Sequence, residues 1–94
     1  MKTEEQKRII EIRKRLSFLA LFNDFEYYHE DKKQIDFLMA FKNFMKDNDL
    51  LFKVNEPELD NYINKIYKDE KVKTKGGCLK ELKMVYKYVR LHYK

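Results

Sequence analysis

The chain has 94 residues and a mass of 11.7 kDa, room for one hydrophobic core and not for a second. Lys and Arg number 21 against 16 Asp and Glu, a net charge of +5, and a 44% hydrophobic content argues against disorder despite 39% charged residues. A single cysteine excludes an internal disulfide framework, and no apolar run is longer than that from Phe18 to Phe22, far too short to span a membrane.

Two glycines and one proline speak against a turn-rich all-β chain, and four helical segments can be read in order. Thr3 with Gln6 has the spacing of a capping box. Ile9, Ile12, Leu16 and Leu19 then recur on one helical face, and from Leu16 to Phe25 the chain turns apolar on nearly every side. The predicted first helix therefore begins amphipathic and ends inside the domain. Asn23 to Glu30 reads either as its frayed continuation or as a loop.

Asp31, with Gln34 three residues on, signals a second start. Ile35, Phe37, Leu38, Phe41, Phe44 and Met45 then cover roughly half the circumference at about 100° per residue, which suits a central helix. Asp47-Asn48-Asp49 is the predicted stop. Leu50 to Val54 has strand composition and reads as a short extended segment or a buried connection. Asn55 or Glu56 caps a third helix with Pro57 in its first turn, and its apolar face is Leu59, Tyr62, Ile63, Ile66 and Tyr67. Lys68 to Gly77 is the clearest loop, and a fourth helix runs from Cys78 onward.

The predicted fold is all-α, one domain over residues 1–94 with about four helices. The alternative is a winged-helix-like α+β fold in which 50–54 and 71–75 form strands of a short hairpin. The N-terminus is charged and amphipathic, without the apolar stretch of a signal peptide, so a cytoplasmic protein is expected.

Charge is distributed unevenly. Up to Tyr67 there are 12 basic and 13 acidic residues; from Lys68 onward there are nine basic and three acidic. All the net positive charge thus falls in the last loop and last helix, a pointer to an anionic partner. On that helix Leu79, Leu82, Val85, Tyr86, Val89 and Tyr93 form the predicted core face. Lys80, Lys83, Lys87, Arg90 and Lys94 fall within an arc of about 80° beside it, with no acid among them. Like charges at these spacings repel by a few tenths of a kcal/mol per pair, so something besides helix stability favours them. Lys73 and Lys75 in the preceding loop extend the stripe.

These cations are expected to contact nucleic acid phosphates or the acidic surface of a protein in a nucleic-acid-handling complex. The plainer reading is a solvated face: 17 lysines to four arginines, with many Ile, Asn and Tyr, is the coding habit of an AT-rich genome. Met84, Tyr88 and Leu91 follow i, i+4, i+7 on another face and read as a partner or homodimer contact, or as a helix packed on two sides.

Signals of catalysis are sparse. Gly76-Gly77 lacks the spacing of any nucleotide fingerprint. Glu26 and His29 make one E-x-x-H half-motif where di-metal bundles need two. Cys78 and Ser17 have no base nearby in sequence, and Arg90 and His92 lie on different helix faces. The expected class is a non-catalytic binding protein with no metal and no cofactor. The alternatives are a protein-binding inhibitor or adaptor of the kind phages and mobile elements encode, and a homo-oligomerisation module.

Overall fold

In a computed structural model, residues 2–28, 37–66 and 79–93 are described, and they contain five helices and no strand. These are α1 (Glu4–Arg15), α2 (Phe18–Tyr28), α3 (Phe37–Asp47), α4 (Glu56–Ile66) and α5 (Leu79–Leu91). The all-α expectation holds. Residues 71–75, the other half of the alternative hairpin, lie outside the described residues, as do the start at Asp31 and the loop from Lys68 to Gly77.

Local chemistry sets several boundaries as predicted. Gln6 N–H donates to Thr3 Oγ1 at 3.1 Å and Thr3 N–H donates to Gln6 Oε1 at 2.9 Å, a complete capping box. Asn55 Oδ1 accepts from Glu58 N–H at 3.1 Å and so caps α4.

The predicted first helix is in fact two. At Leu16 the backbone leaves the helical region (φ −82°, ψ 86°), and Ser17 restarts it, its carbonyl accepting from Leu21 N–H at 2.9 Å. Geometry explains the break. Ile12 and Leu21 are nine positions apart, hence about 180° apart on a straight helix, yet both are buried in the same core together with Phe25. No unbroken helix presents both to one core. The break also turns Leu19, expected on the core face, out to solvent. The carbonyl it frees at Leu16 accepts from Tyr86 Oη, 3.2 Å away on α5.

The α3 helix supplies the centre of the core. Its Leu38, Phe41 and Met45 are fully buried, with Phe41 edge-on to Phe18 and Phe25. It packs against α5, as does α4. Lys42, on the same helix, is buried beside α4, with Nζ 3.0 Å from Asp60 Oδ1 and 3.6 Å from Glu56 Oε2. Asp60 Oδ1 accepts no hydrogen bond of good geometry, so this contact is chiefly coulombic. Pairing of this kind is what makes a buried cation tolerable.

The Asp47-Asn48-Asp49 stop is a Schellman turn. Leu50 N–H donates to Met45 O at 2.9 Å and Asp49 N–H to Lys46 O at 3.0 Å, with Asp49 at φ 60° and Leu50 and Met45 both buried. The segment that follows is the buried connection, with Leu50, Leu51 and Val54 in the core. Its exposed side anchors α1. Asp49 takes a two-pronged bond from Arg8, whose guanidinium carbon also lies 3.8 Å from the Phe52 ring centre. Arg15 donates to Asn48 O, and Lys53 pairs with Glu5 at 3.4 Å.

Asp49→Ala is expected to cost about 1–2 kcal/mol, because alanine tolerates the left-handed backbone poorly and Arg8 loses its partner. Asp49→Asn keeps the conformational tolerance and removes only an exposed ion pair, so its cost stays below about 1 kcal/mol. Urea unfolding of both variants checks this; equal losses would assign the whole effect to the ion pair.

Candidate functional site

Leu82, Val85, Tyr86, Val89 and Tyr93 face the core as predicted, while Leu79, expected with them, is largely exposed. That orientation leaves Lys80, Lys83, Lys87 and Arg90 exposed along α5. Lys94, Lys73 and Lys75 lie outside the described residues.

The α1 and α5 helices run antiparallel. Leu16 at the end of α1 sits at Tyr86, whereas Arg8 nearer its start holds the turn that receives Tyr93. Between them lies a groove of about 730 Å³. Lys87 and Arg90 from α5 and Arg13 and Lys14 from α1 line its sides; Ile10, Leu16 and Leu91 supply apolar surface. Tyr93 also lines it but, at 1% exposure, offers almost no ring surface of its own. No acidic residue among the described residues lines the groove. Among the described residues, none of the four cations has an acidic partner within ion-pair distance.

Two features of the sequence produce this gathering. The last turn of α1 is Arg13-Lys14-Arg15, cations that complement the negative end of the helix dipole. Arg15 turns to the Asn48 carbonyl and Arg8 to Asp49, which leaves Arg13 and Lys14 for the groove. The contact between Tyr86 and Leu16 then holds the end of α1 against α5, one residue from Lys87. Arg13 and Lys14 were not read as site residues, because they belong to the part of the chain in which acids balance bases. Their signal was the basic triplet itself, and only its neighbour in space gives it meaning.

The stripe continues beyond the groove. Lys83 Nζ lies 5.7 Å from the Phe18 ring centre, within cation–π range, and Lys80 lies one turn earlier.

Met84, Tyr88 and Leu91 do not make one continuous exposed strip. Tyr88 stacks on Tyr62 of α4 with centroids 4.7 Å apart and its carbonyl accepts from His92 Nδ1 at 3.0 Å, so α5 is packed on a second side there. Met84 is half-buried, and Leu91, 58% exposed, belongs to the groove. Arg90 and His92 diverge accordingly, one to the groove and one to Tyr88. His29 and Cys78 lie outside the described residues.

Among the described residues, no group of three or more His, Cys, Asp or Glu is arranged to hold a metal ion, and no helix is long and apolar enough to cross a membrane. No family model, curated protein or solved structure matches the chain.

Proposed function

We propose that the chain is a non-catalytic cytoplasmic binding protein that holds nucleic acid by its phosphates. The observation that carries this reading is the groove between α1 and α5, with Arg13 and Lys14 from one helix, Lys87 and Arg90 from the other, and no acid in the lining among the described residues. Gathered cations repel one another in the empty protein and gain most from a partner with several closely spaced negative charges. A phosphate backbone is such a partner, and binding it releases condensed counterions. Lys80 and Lys83 prolong the track along α5, and Lys73, Lys75 and Lys94 flank it in sequence.

Fluorescence anisotropy with labelled oligonucleotides at roughly 50 and 200 mM salt tests the reading. Four to six phosphate contacts predict that affinity falls with salt on a log–log slope of about −3 to −5. Absence of binding at the lower salt would refute it.

One observation favours a second reading, an adaptor or inhibitor that meets an acidic protein helix: Leu91 is exposed among the cations, as in a groove that receives an amphipathic helix. Such an adaptor or inhibitor, of the kind a phage or other mobile element encodes, would bind an acidic partner protein where oligonucleotides do not bind. The homodimer seam gains no comparable support, since Tyr88 is stacked on Tyr62.

A further inference from the structure

We infer that the groove takes single-stranded nucleic acid in preference to duplex, with unpaired bases laid on the apolar surface and phosphates on the flanking cations. This deepens the phosphate-binding reading and rests on it. Two features of the groove carry the inference.

The first is shape. The cations belong to two helices and line one concavity between them. A duplex is read by an element that protrudes into its major groove, about 12 Å wide, or by a broad basic face laid on its backbone. A concavity is the opposite of a protruding reader, so a rigid duplex reaches its rim and not its interior. At about 730 Å³ the concavity has the size of a small-molecule site, enough for unpaired bases and far too small for a section of double helix.

The second is composition. Apolar surface from Ile10, Leu16 and Leu91 lines the groove together with two pairs of cations. A duplex hides its base faces and has nothing to set against that surface, whereas a single strand exposes apolar base faces alternating with phosphates. Because Tyr93 is buried, the bases rest on aliphatic side chains and are not stacked on a ring. Among the described residues the groove lining contains no Asn, Gln, Asp or Glu, the side chains that read adenine and cytosine edges, so sequence preference is expected to be slight.

The test is anisotropy with the full chain and mixed-sequence probes of about 12 nucleotides: single-stranded DNA, single-stranded RNA and the corresponding DNA duplex. Inorganic polyphosphate serves as a base-free competitor. Either single strand is expected to bind at least about tenfold tighter than the duplex, and polyphosphate of equal charge to compete more weakly than unlabelled single strand.

Leu91→Ser removes apolar surface and leaves the charge unchanged. It should weaken single-strand binding about three- to tenfold, with the salt slope unaltered. Leu91 is 58% exposed, so the melting temperature should hold, and measuring it separates a lost contact from a lost fold.

Duplex binding as tight as single-strand binding, or polyphosphate competing equally, overturns the single-strand inference while the phosphate-binding reading survives. No binding by any probe at low salt overturns both.

Discussion

Lys87→Glu combined with Arg90→Glu is expected to lower affinity for nucleic acid by about two orders of magnitude at moderate salt, and to flatten the log–log salt slope by about 1.5 to 2. Both residues line the groove from α5 and lack an acidic partner among the described residues. Each substitution removes one phosphate contact and sets a repelling charge in its place. Both side chains are exposed, so thermal stability should change little. Lys2→Glu with Lys65→Glu makes the same change in net charge at exposed positions outside the groove, and supplies the control. If the control pair lost as much affinity as the groove pair, overall charge would be the determinant and the groove would have no special part. Arg13→Glu asks the same question of α1; it should cost about tenfold if both sides of the groove contact the ligand.

Tyr93→Phe is expected to destabilise the fold by about 2–3 kcal/mol, a fall in melting temperature of about 10–20 °C for a domain of this size. The Tyr93 hydroxyl donates to the Leu50 carbonyl at 2.8 Å and accepts from Lys53 N–H at 3.0 Å, in a position almost wholly removed from water. Phenylalanine keeps the packing and leaves a backbone acceptor and a backbone donor without their partner, and unpaired buried groups cost more than the net value of the bonds they lose. The same bonds tie the end of α5 to the turn that anchors α1 through Arg8 and Asp49. The groove between those helices should therefore loosen as well.

Burial pushes the Tyr93 hydroxyl above the ordinary phenol value. The Lys53 N–H bond and the Arg8 charge act against that shift, and the Asp49 charge reinforces it. A raised value in the folded state means the native protein holds this proton more tightly than the unfolded chain does. The resulting stabilisation is fully present below about pH 10, where the unfolded tyrosine is still protonated, and is lost as pH rises through the folded value. Wild type should thus lose stability above about pH 10 faster than Tyr93→Phe, and the gap between them should narrow. Urea unfolding of the two proteins at near-neutral and strongly alkaline pH measures that gap; a constant difference would mean that this hydroxyl does not titrate with folding.

Much of the helical fold was legible in the chain because helix ends and apolar faces are local. The Thr3–Gln6 box, the Asn55 cap and the stop after Asp47 depend on residues three to five apart. Leu38, Phe41 and Met45 announced a central helix by spacing alone. The division of α1 from α2 was half legible. The apolar stretch from Leu16 to Phe25 signalled deep burial, but one uninterrupted helix was the simplest local reading, and it misplaced Leu19. What decides against it is that Ile12 and Leu21 must reach one core from opposite sides of a helix. Asp49 in the left-handed region was no more predictable. Glycine is the usual residue there, and here the Arg8 guanidinium, 41 positions away, helps hold an aspartate in its place.

Local periodicity accounts for the helices other than the break at Leu16, for most of the core face of α5 and for the line of cations beside it, since each follows from the 3.6-residue period acting on neighbouring residues. Tertiary structure alone decided that this line is one side of a groove. Arg13 and Lys14 stand more than 70 positions from Lys87 and Arg90, in a stretch whose charges sum to slightly below zero. They reach α5 because the chain breaks at Leu16, Tyr86 takes up the freed carbonyl, and Arg8 and Arg15 are drawn off to the turn at Asn48 and Asp49. Net charge counted along a chain says how many cations there are. Which of them share a ligand depends on long-range contacts that no period in the sequence encodes.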